Sequence, residues 1–147
     1  MTPGYGPRWD PAQQTPEPHG HRSNEGKTVT EKSGIVRTVA LLGRKEGMTF
    51  QEFDDYWRKV HAPLAARVPG VVRYIQRHVV PDPATGEPDN GFGIDGLAVL
   101  DYESVEAMEA GWATKYGQRA LDDVPNFLGK HYVLTLEDVA VVGGDYY

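Results

Sequence analysis

The chain has 147 residues, of which 39% are hydrophobic and 24% charged, a balance that supports one globular domain with a modest core. It contains no cysteine, which excludes a disulfide framework, a thiolate zinc site and a cysteine nucleophile. A formal net charge of −6 argues against nucleic acid, no apolar run approaches a membrane span, and MTPGYGPRWDP lacks signal-peptide order, so a cytoplasmic protein with small-molecule or protein partners is expected.

Residues 1–34 hold five of the eleven prolines and almost no apolar periodicity, so a flexible Pro/Gly-rich tail is expected ahead of one domain over 35–147. Arg8, Arg22, Lys27 and Lys32 balance Asp10, Glu17, Glu25 and Glu31, which leaves the whole −6 on the domain. Tyr5 and Trp9 are the large apolar groups of this segment, available to dock on the domain or a neighbour. From Ile35, IVRTVALLGRK is β-branched and apolar and predicts a first strand ending near Gly43. Thr49-Phe50-Gln51-Glu52 is a capping box that opens a helix. Phe50, Phe53, Trp57, Val60, His61 and Leu64 form its apolar stripe, while Gln51, Asp54, Asp55, Arg58 and Lys59 fall on the wet side. Pro63 predicts a kink after His61, because it removes a backbone donor and disfavours helical geometry at Ala62.

After Pro69-Gly70, VVRYIQRHVV alternates and predicts a second strand, with Val72, Tyr74, Gln76, His78 and Val80 on one face and Val71, Arg73, Ile75, Arg77 and Val79 on the other. PDPATGEPDNGFG is a long loop of the kind that covers sites. A third strand runs roughly from Ile94 to Tyr102. Ser104 caps a second helix with Val105, Met108, Trp112 and Tyr116 on its apolar face, LDDVPNFL interrupts that pattern, and a last strand spans about His131 to Val142. This order is the βαββαβ arrangement of an α+β, ferredoxin-like subunit with a four-stranded antiparallel sheet and two helices on one face. The uncovered face needs a partner or a ligand, and a homodimer is expected.

His61, His78 and His131 are the domain's candidates for proton transfer near neutral pH. His61 lies one helical turn after Trp57 on the inward stripe, where a satisfied half-buried histidine is equally consistent. Tyr74, Gln76 and His78 share a polar row; pointing away from the helices, they would enter a cavity between the sheet and its partner. Asp95 suits orienting a histidine tautomer, holding a substrate hydroxyl, or equally capping a turn. Arg37, Arg73 and Arg77 read as structural, with Arg73 and Arg77 on the helix-facing rim or paired with Asp54 and Asp55. No ligand spacing for a metal is present beyond the chance pair His19-Gly-His21. Gly91-Phe-Gly-Ile-Asp-Gly96 matches G-x-G-x-x-G in letters, but a loop precedes it and a strand follows, so it does not read as a dinucleotide fingerprint.

Three segments, R-K-x-G-M-T-x-x-E-F from Arg44, Y-W-x-x-V-H-A-P-L from Tyr56 and P-G-V-x-R-Y-x-x-x-H from Pro69, resemble the EthD family of the dimeric α/β-barrel superfamily, joined by Asp95-Gly96 and Asn126-Phe127. The resemblance covers about Ile35 to Val142. It implies a subunit whose sheet packs on a second subunit's sheet, with the histidines at His61 and His78 as the residues its enzymes use. It also implies a range of roles: an accessory of an ether-degrading cytochrome P450 system, cofactor-free lactone isomerases, and dehydratases or decarboxylases of aromatic polyketides. The lack of cysteine departs from isomerase-like members that use a cysteine proton carrier.

Together these features suggest a cofactor-independent lyase or isomerase of a small cyclic or aromatic metabolite, with His61 and His78 as the acid/base pair. Trp57, Tyr74, Gln76, Asp95 and Trp112 would position substrate, and no cofactor or metal is expected. A non-catalytic accessory or ligand-binding protein of an oxygenase pathway, tethered to a pathway partner by the N-terminal tail, is the alternative. Cofactor-free or haem monooxygenation is a third reading, taken from the wider superfamily alone.

Overall fold

The computed structural model describes residues 34–143. The expected tail with Tyr5 and Trp9 lies outside the described residues, Gly34 excepted. Strands β1 (Val36–Arg44), β2 (Val71–His78), β3 (Gly96–Tyr102) and β4 (Leu128–Leu136) form one antiparallel sheet in the order β2-β3-β1-β4. Between β1 and β2 run α1 (Phe50–Tyr56), a π-helical turn (Trp57–His61) and α2 (Ala62–Ala65). Between β3 and β4 run α3 (Val105–Ala113), α4 (Lys115–Asp123) and a 3₁₀ turn (Val124–Asn126). The molecule is α+β with a ferredoxin-like arrangement, its helices gathered on one face of the sheet.

Alternation along the two central strands explains which face is covered. Leu42, Ala98, Leu100 and Tyr102 point to the helices and join Phe53, Trp57, Met108, Trp112 and Phe127 in the core. The cross-strand register pairs Val39 with Val99 and Leu134, and Leu41 with Leu97 and Tyr132, so these residues share the opposite face. Tyr132, Leu134 and Leu136 there are exposed. The capping box forms as the sequence predicts, with Thr49 accepting from the Glu52 N–H and Glu52 accepting from the Thr49 N–H. Ser104 likewise caps α3 by accepting from the Ala107 N–H.

Four expectations need correction. The register of β2 against β3 slips between Val71 and Arg73, so Val72 is bulged outward, and pairing with Leu100, Ala98 and Gly96 turns Tyr74, Gln76 and His78 toward the helices rather than away from them. Arg73 and Arg77 therefore lie on the open face, where Arg73 approaches Asp101 at 3.8 Å and Arg37 binds the same carboxylate at 3.0 Å. The second helix is two helices: Thr114 is extended, ending α3 and capping α4 by accepting from the Gly117 N–H, so Leu121-Asp122-Asp123 completes α4 instead of interrupting a helix. The last strand starts at Leu128, earlier than expected, and ends at Leu136, leaving Val139, Val141 and Val142 exposed and unpaired with the sheet.

Candidate active site

The helix after β1 widens just before Pro63. The Ala62 N–H reaches back five residues to the Trp57 carbonyl, making one π turn just before the proline, whose ring would crowd an ordinary α-helical turn. The consequence is rotational. Residues five apart stand about 140° apart round an α-helix, whereas the wider turn brings Tyr56 and His61 to the same side. Both reach Asp123, at the end of α4: Tyr56 Oη donates to Oδ1 at 2.5 Å and His61 Nδ1 lies 2.9 Å from Oδ2. Asn126 Nδ2 donates to Asp123 Oδ1 at 2.9 Å, and the Phe127 ring stands 4.7 Å from the imidazole. The same turn carries Val60 off the expected stripe, leaving it 44% exposed.

The protonation states follow. Burial favours a neutral Asp123, yet hydrogen bonds from Tyr56, Asn126 and His61 outweigh it and hold the carboxyl below the usual aspartate range. Burial pushes the His61 pKa down from 6.5, only partly opposed by Asp123. Burial and the hydrogen bond to Asp123 push the Tyr56 phenol up. At neutral pH the arrangement is an ionised Asp123 and a neutral His61 that donates from Nδ1, so the lone pair sits on Nε2. Folding stability carries the same signature. The unfolded imidazole takes a proton below pH 6.5 that folded His61 resists, so stability is expected to fall as pH drops below 6.5, and again below about 3.8 as Asp123 and Asp54 are forced to protonate. Urea denaturation between pH 8 and pH 5 checks the upper window. A midpoint that does not fall would contradict the buried neutral histidine.

A second hydrogen-bonded chain lies beside the first. Asp54 is 2.5 Å from His78 Nδ1 and 2.9 Å from Arg58, His78 Nε2 is 2.8 Å from Gln76 Oε1, and Gln76 Nε2 donates to the Trp57 carbonyl at 3.0 Å and to Tyr74 Oη at 2.9 Å. The His78 ring packs on the Trp57 indole at 4.4 Å. Gly96 sits under that indole, because a Cβ there would collide with the ring. Burial opposes ionisation of Asp54, but Arg58 and His78 bring it below the ordinary value.

Between the helices and the sheet is a cavity of about 60 Å³ lined by Trp57, His61, Tyr74 and Trp112 among others. His131 also lines it and, with Leu42, borders a larger outer bowl of about 370 Å³ beneath the Gly91–Ile94 loop. Four of the seven anticipated site residues thus meet in one cavity. Gln76 and His78 stand behind its wall, not in a chamber between sheet and partner. Asp95 is not at the cavity: it accepts from the Arg44 N–H at 2.9 Å, its own N–H donates to the Leu42 carbonyl, and its carbonyl receives the Val79 N–H, so it fastens the start of β3 to its neighbours. Sequence reasoning missed Tyr56 and Asp123. Tyr56 fits no α-helical stripe containing His61, and Asp123 stood in a segment read as a break. Among the described residues there is no cluster of three or more His, Asp or Glu side chains able to hold a metal, and no helix is long and apolar enough to cross a membrane.

The sequence profile of the EthD domain matches residues 45–131. No curated protein matches the chain. Among solved structures, an EthD family protein of Bacillus halodurans C-125 is 24% identical with a TM-score of 0.57, covering 71% of this chain and 99% of its own. A hydroxynitrile lyase of Passiflora edulis is 15% identical with a TM-score of 0.54, over 72% of this chain and 96% of its own. SnoaB, a cofactor-independent oxygenase of Streptomyces nogalater, is 16% identical with a TM-score of 0.50, over 74% and 98%. At these identities the likeness is one of fold.

Proposed function

The chain belongs to the EthD family, and on that premise we propose that it is a cofactor-independent lyase or isomerase that moves protons on a small cyclic or aromatic molecule. The observation that carries this reading is the Asp123–His61 pair at 2.9 Å, which leaves Nε2 as the basic nitrogen of a side chain lining a mostly apolar cavity. A neutral imidazole held in one tautomer by a carboxylate is the arrangement general-base catalysis requires. Nε2 takes a proton from carbon, the C–H electrons pass into an adjacent carbonyl to give an enol or enolate, and the imidazolium is stabilised by Asp123 until it returns the proton at another position or to a leaving group. His78, whose two ring nitrogens are both engaged, acts as a positioning residue for Gln76 and Trp57. Trp57, Tyr74 and Trp112 form the walls that hold substrate and exclude water.

The test is hydrogen exchange at carbon. Purified protein is incubated in D₂O with a panel of small cyclic ketones and lactones, and label uptake is read by mass spectrometry. Uptake by the wild type and none by His61→Ala supports the proton-transfer reading. No uptake from any member of the panel, together with recovery of a bound pathway protein that depends on residues 1–34, would replace it with the accessory reading.

The same proposal includes a homodimer. Tyr132, Leu134 and Leu136 form an exposed apolar row on the open sheet face, the side a second sheet would cover. Leu134→Asp places a charge in that row and is expected to convert a dimer to monomer in light scattering. A variant that keeps the wild-type mass would place the contact elsewhere.

A further inference from the structure

We infer that the cavity selects uncharged ligands that carry a carbonyl oxygen, which Tyr74 Oη–H binds as donor in the space that His61 also lines. This deepens the acid/base reading of the same cavity and rests on it for the role of His61. The direction of the tyrosine hydrogen follows from its neighbours. A backbone carbonyl has no hydrogen to give, so the Gln76 group 3.0 Å from the Trp57 carbonyl is its NH₂. The other hydrogen of that NH₂ goes to Tyr74 Oη at 2.9 Å, so the phenol oxygen accepts there and its own hydrogen is turned elsewhere. Gln76 Oε1 then faces His78 Nε2, which donates to it at 2.8 Å, and Asp54 anchors the other ring nitrogen. The chain from Asp54 to Gln76 thus fixes the amide, and the amide fixes the tyrosine as a donor. Tyr74 lines the cavity, where an acceptor from a ligand completes it.

Charge selects in the same direction. None of the side chains lining the cavity belongs to Asp, Glu, Lys or Arg. The nearest fixed charge behind His61 is the Asp123 carboxylate, on Nδ1. A carboxylate ligand would meet no lysine or arginine and an anion one imidazole away, so it would lose its hydration without compensation. A ketone or lactone loses little and gains the tyrosine hydrogen bond. Held by its carbonyl oxygen on Tyr74, it shares the cavity with the His61 base.

The experiment reads binding without turnover, from the indole N–H signals of Trp57 and Trp112 in ¹H–¹⁵N spectra of the full chain. Butanone is compared with propanoate, and acetophenone with benzoate, two pairs of similar size that differ in charge. At least one ketone is expected to shift the signals saturably, with its carboxylate at least about tenfold weaker, and Tyr74→Phe is expected to weaken that ketone by about tenfold, the value of one buried hydrogen bond. Carboxylates binding as tightly as ketones, no ketone binding, or a Tyr74→Phe protein with unchanged ketone affinity would each overturn the inference. Should Tyr74→Phe fail to fold, the wild-type comparison of ketone with carboxylate still decides the charge selection, and acetophenone against ethylbenzene, which has the same ring and no acceptor, decides the hydrogen bond: ethylbenzene binding as tightly as acetophenone would overturn the inference. Ketone binding in a wild type that exchanges no hydrogen at carbon would leave this inference standing and remove the catalytic reading.

Discussion

Substituting Asp123 by asparagine is expected to lower the rate of hydrogen exchange at carbon by on the order of 10²-fold or more while the protein remains folded. The carboxylate accepts from three side chains, Tyr56, His61 and Asn126. An amide of the same shape can keep acceptor bonds through its oxygen, but one corner becomes an NH₂. Where that NH₂ faces His61 Nδ1, the ring must take the other tautomer, with its hydrogen on Nε2 and no lone pair toward the cavity. Where the oxygen stays on His61, the imidazolium formed during proton transfer loses its counter-charge. Either way the base is weakened at one atom without a change in packing. The measurement combines the exchange assay with ¹⁵N shifts of the imidazole, which report the tautomer. Full activity with Nδ1 still protonated would show that Asp123 serves only the fold.

Trp57→Ala is expected to cost about 3–5 kcal/mol of stability, because it empties the space of the largest fully buried side chain. The indole is 1% exposed. It lies 5.5 Å from the Phe53 ring and 4.4 Å from the His78 ring, rests over Gly96 and walls the cavity. Gly96 leaves no side chain to fill the space, so alanine produces a void continuous with the cavity and strips His78 of its apolar support. The Trp57 carbonyl, which accepts from Ala62 and Gln76, belongs to the backbone and survives the substitution. The loss is therefore one of packing, and Trp57→Phe should recover more than half of it. Urea denaturation of the three proteins is the check. A loss below about 1 kcal/mol for the alanine variant would mean that the neighbouring helices collapse onto the space.

These two residues mark different degrees of legibility in the sequence. Trp57 was readable because an α-helical stripe beginning at a capping box must bury its large apolar members, and Thr49 with Glu52 locates the start of that stripe. Asp123 was not readable. Its pairing with His61 spans 62 positions and depends on the helix break at Thr114, where α4 begins afresh. Tyr56 was hidden for a related reason: α-helical periodicity places it away from His61, and only the π turn reconciles them.

The second strand gives the sharpest contrast. Period-two alternation correctly grouped Tyr74, Gln76 and His78, because side chains two apart in a strand must share a face. It could not say which face, since that depends on the pairing with β3 and on one outward bulge at Val72. A register shift of one residue exchanges the two faces, so the direction of the polar row was decided by tertiary pairing alone.

What the sequence determined by itself was the order of elements, the ferredoxin-like class and the inward placement of Trp57 and His61, because local spacing and capping act within a few residues of each position. The tertiary structure alone decided that His61 is oriented by Asp123 and that Tyr74 faces a cavity under the helices with His78 behind it. Those relations join residues far apart in the chain, and a hydrogen bond between them exists only once register, bulge and helix break have fixed the distances.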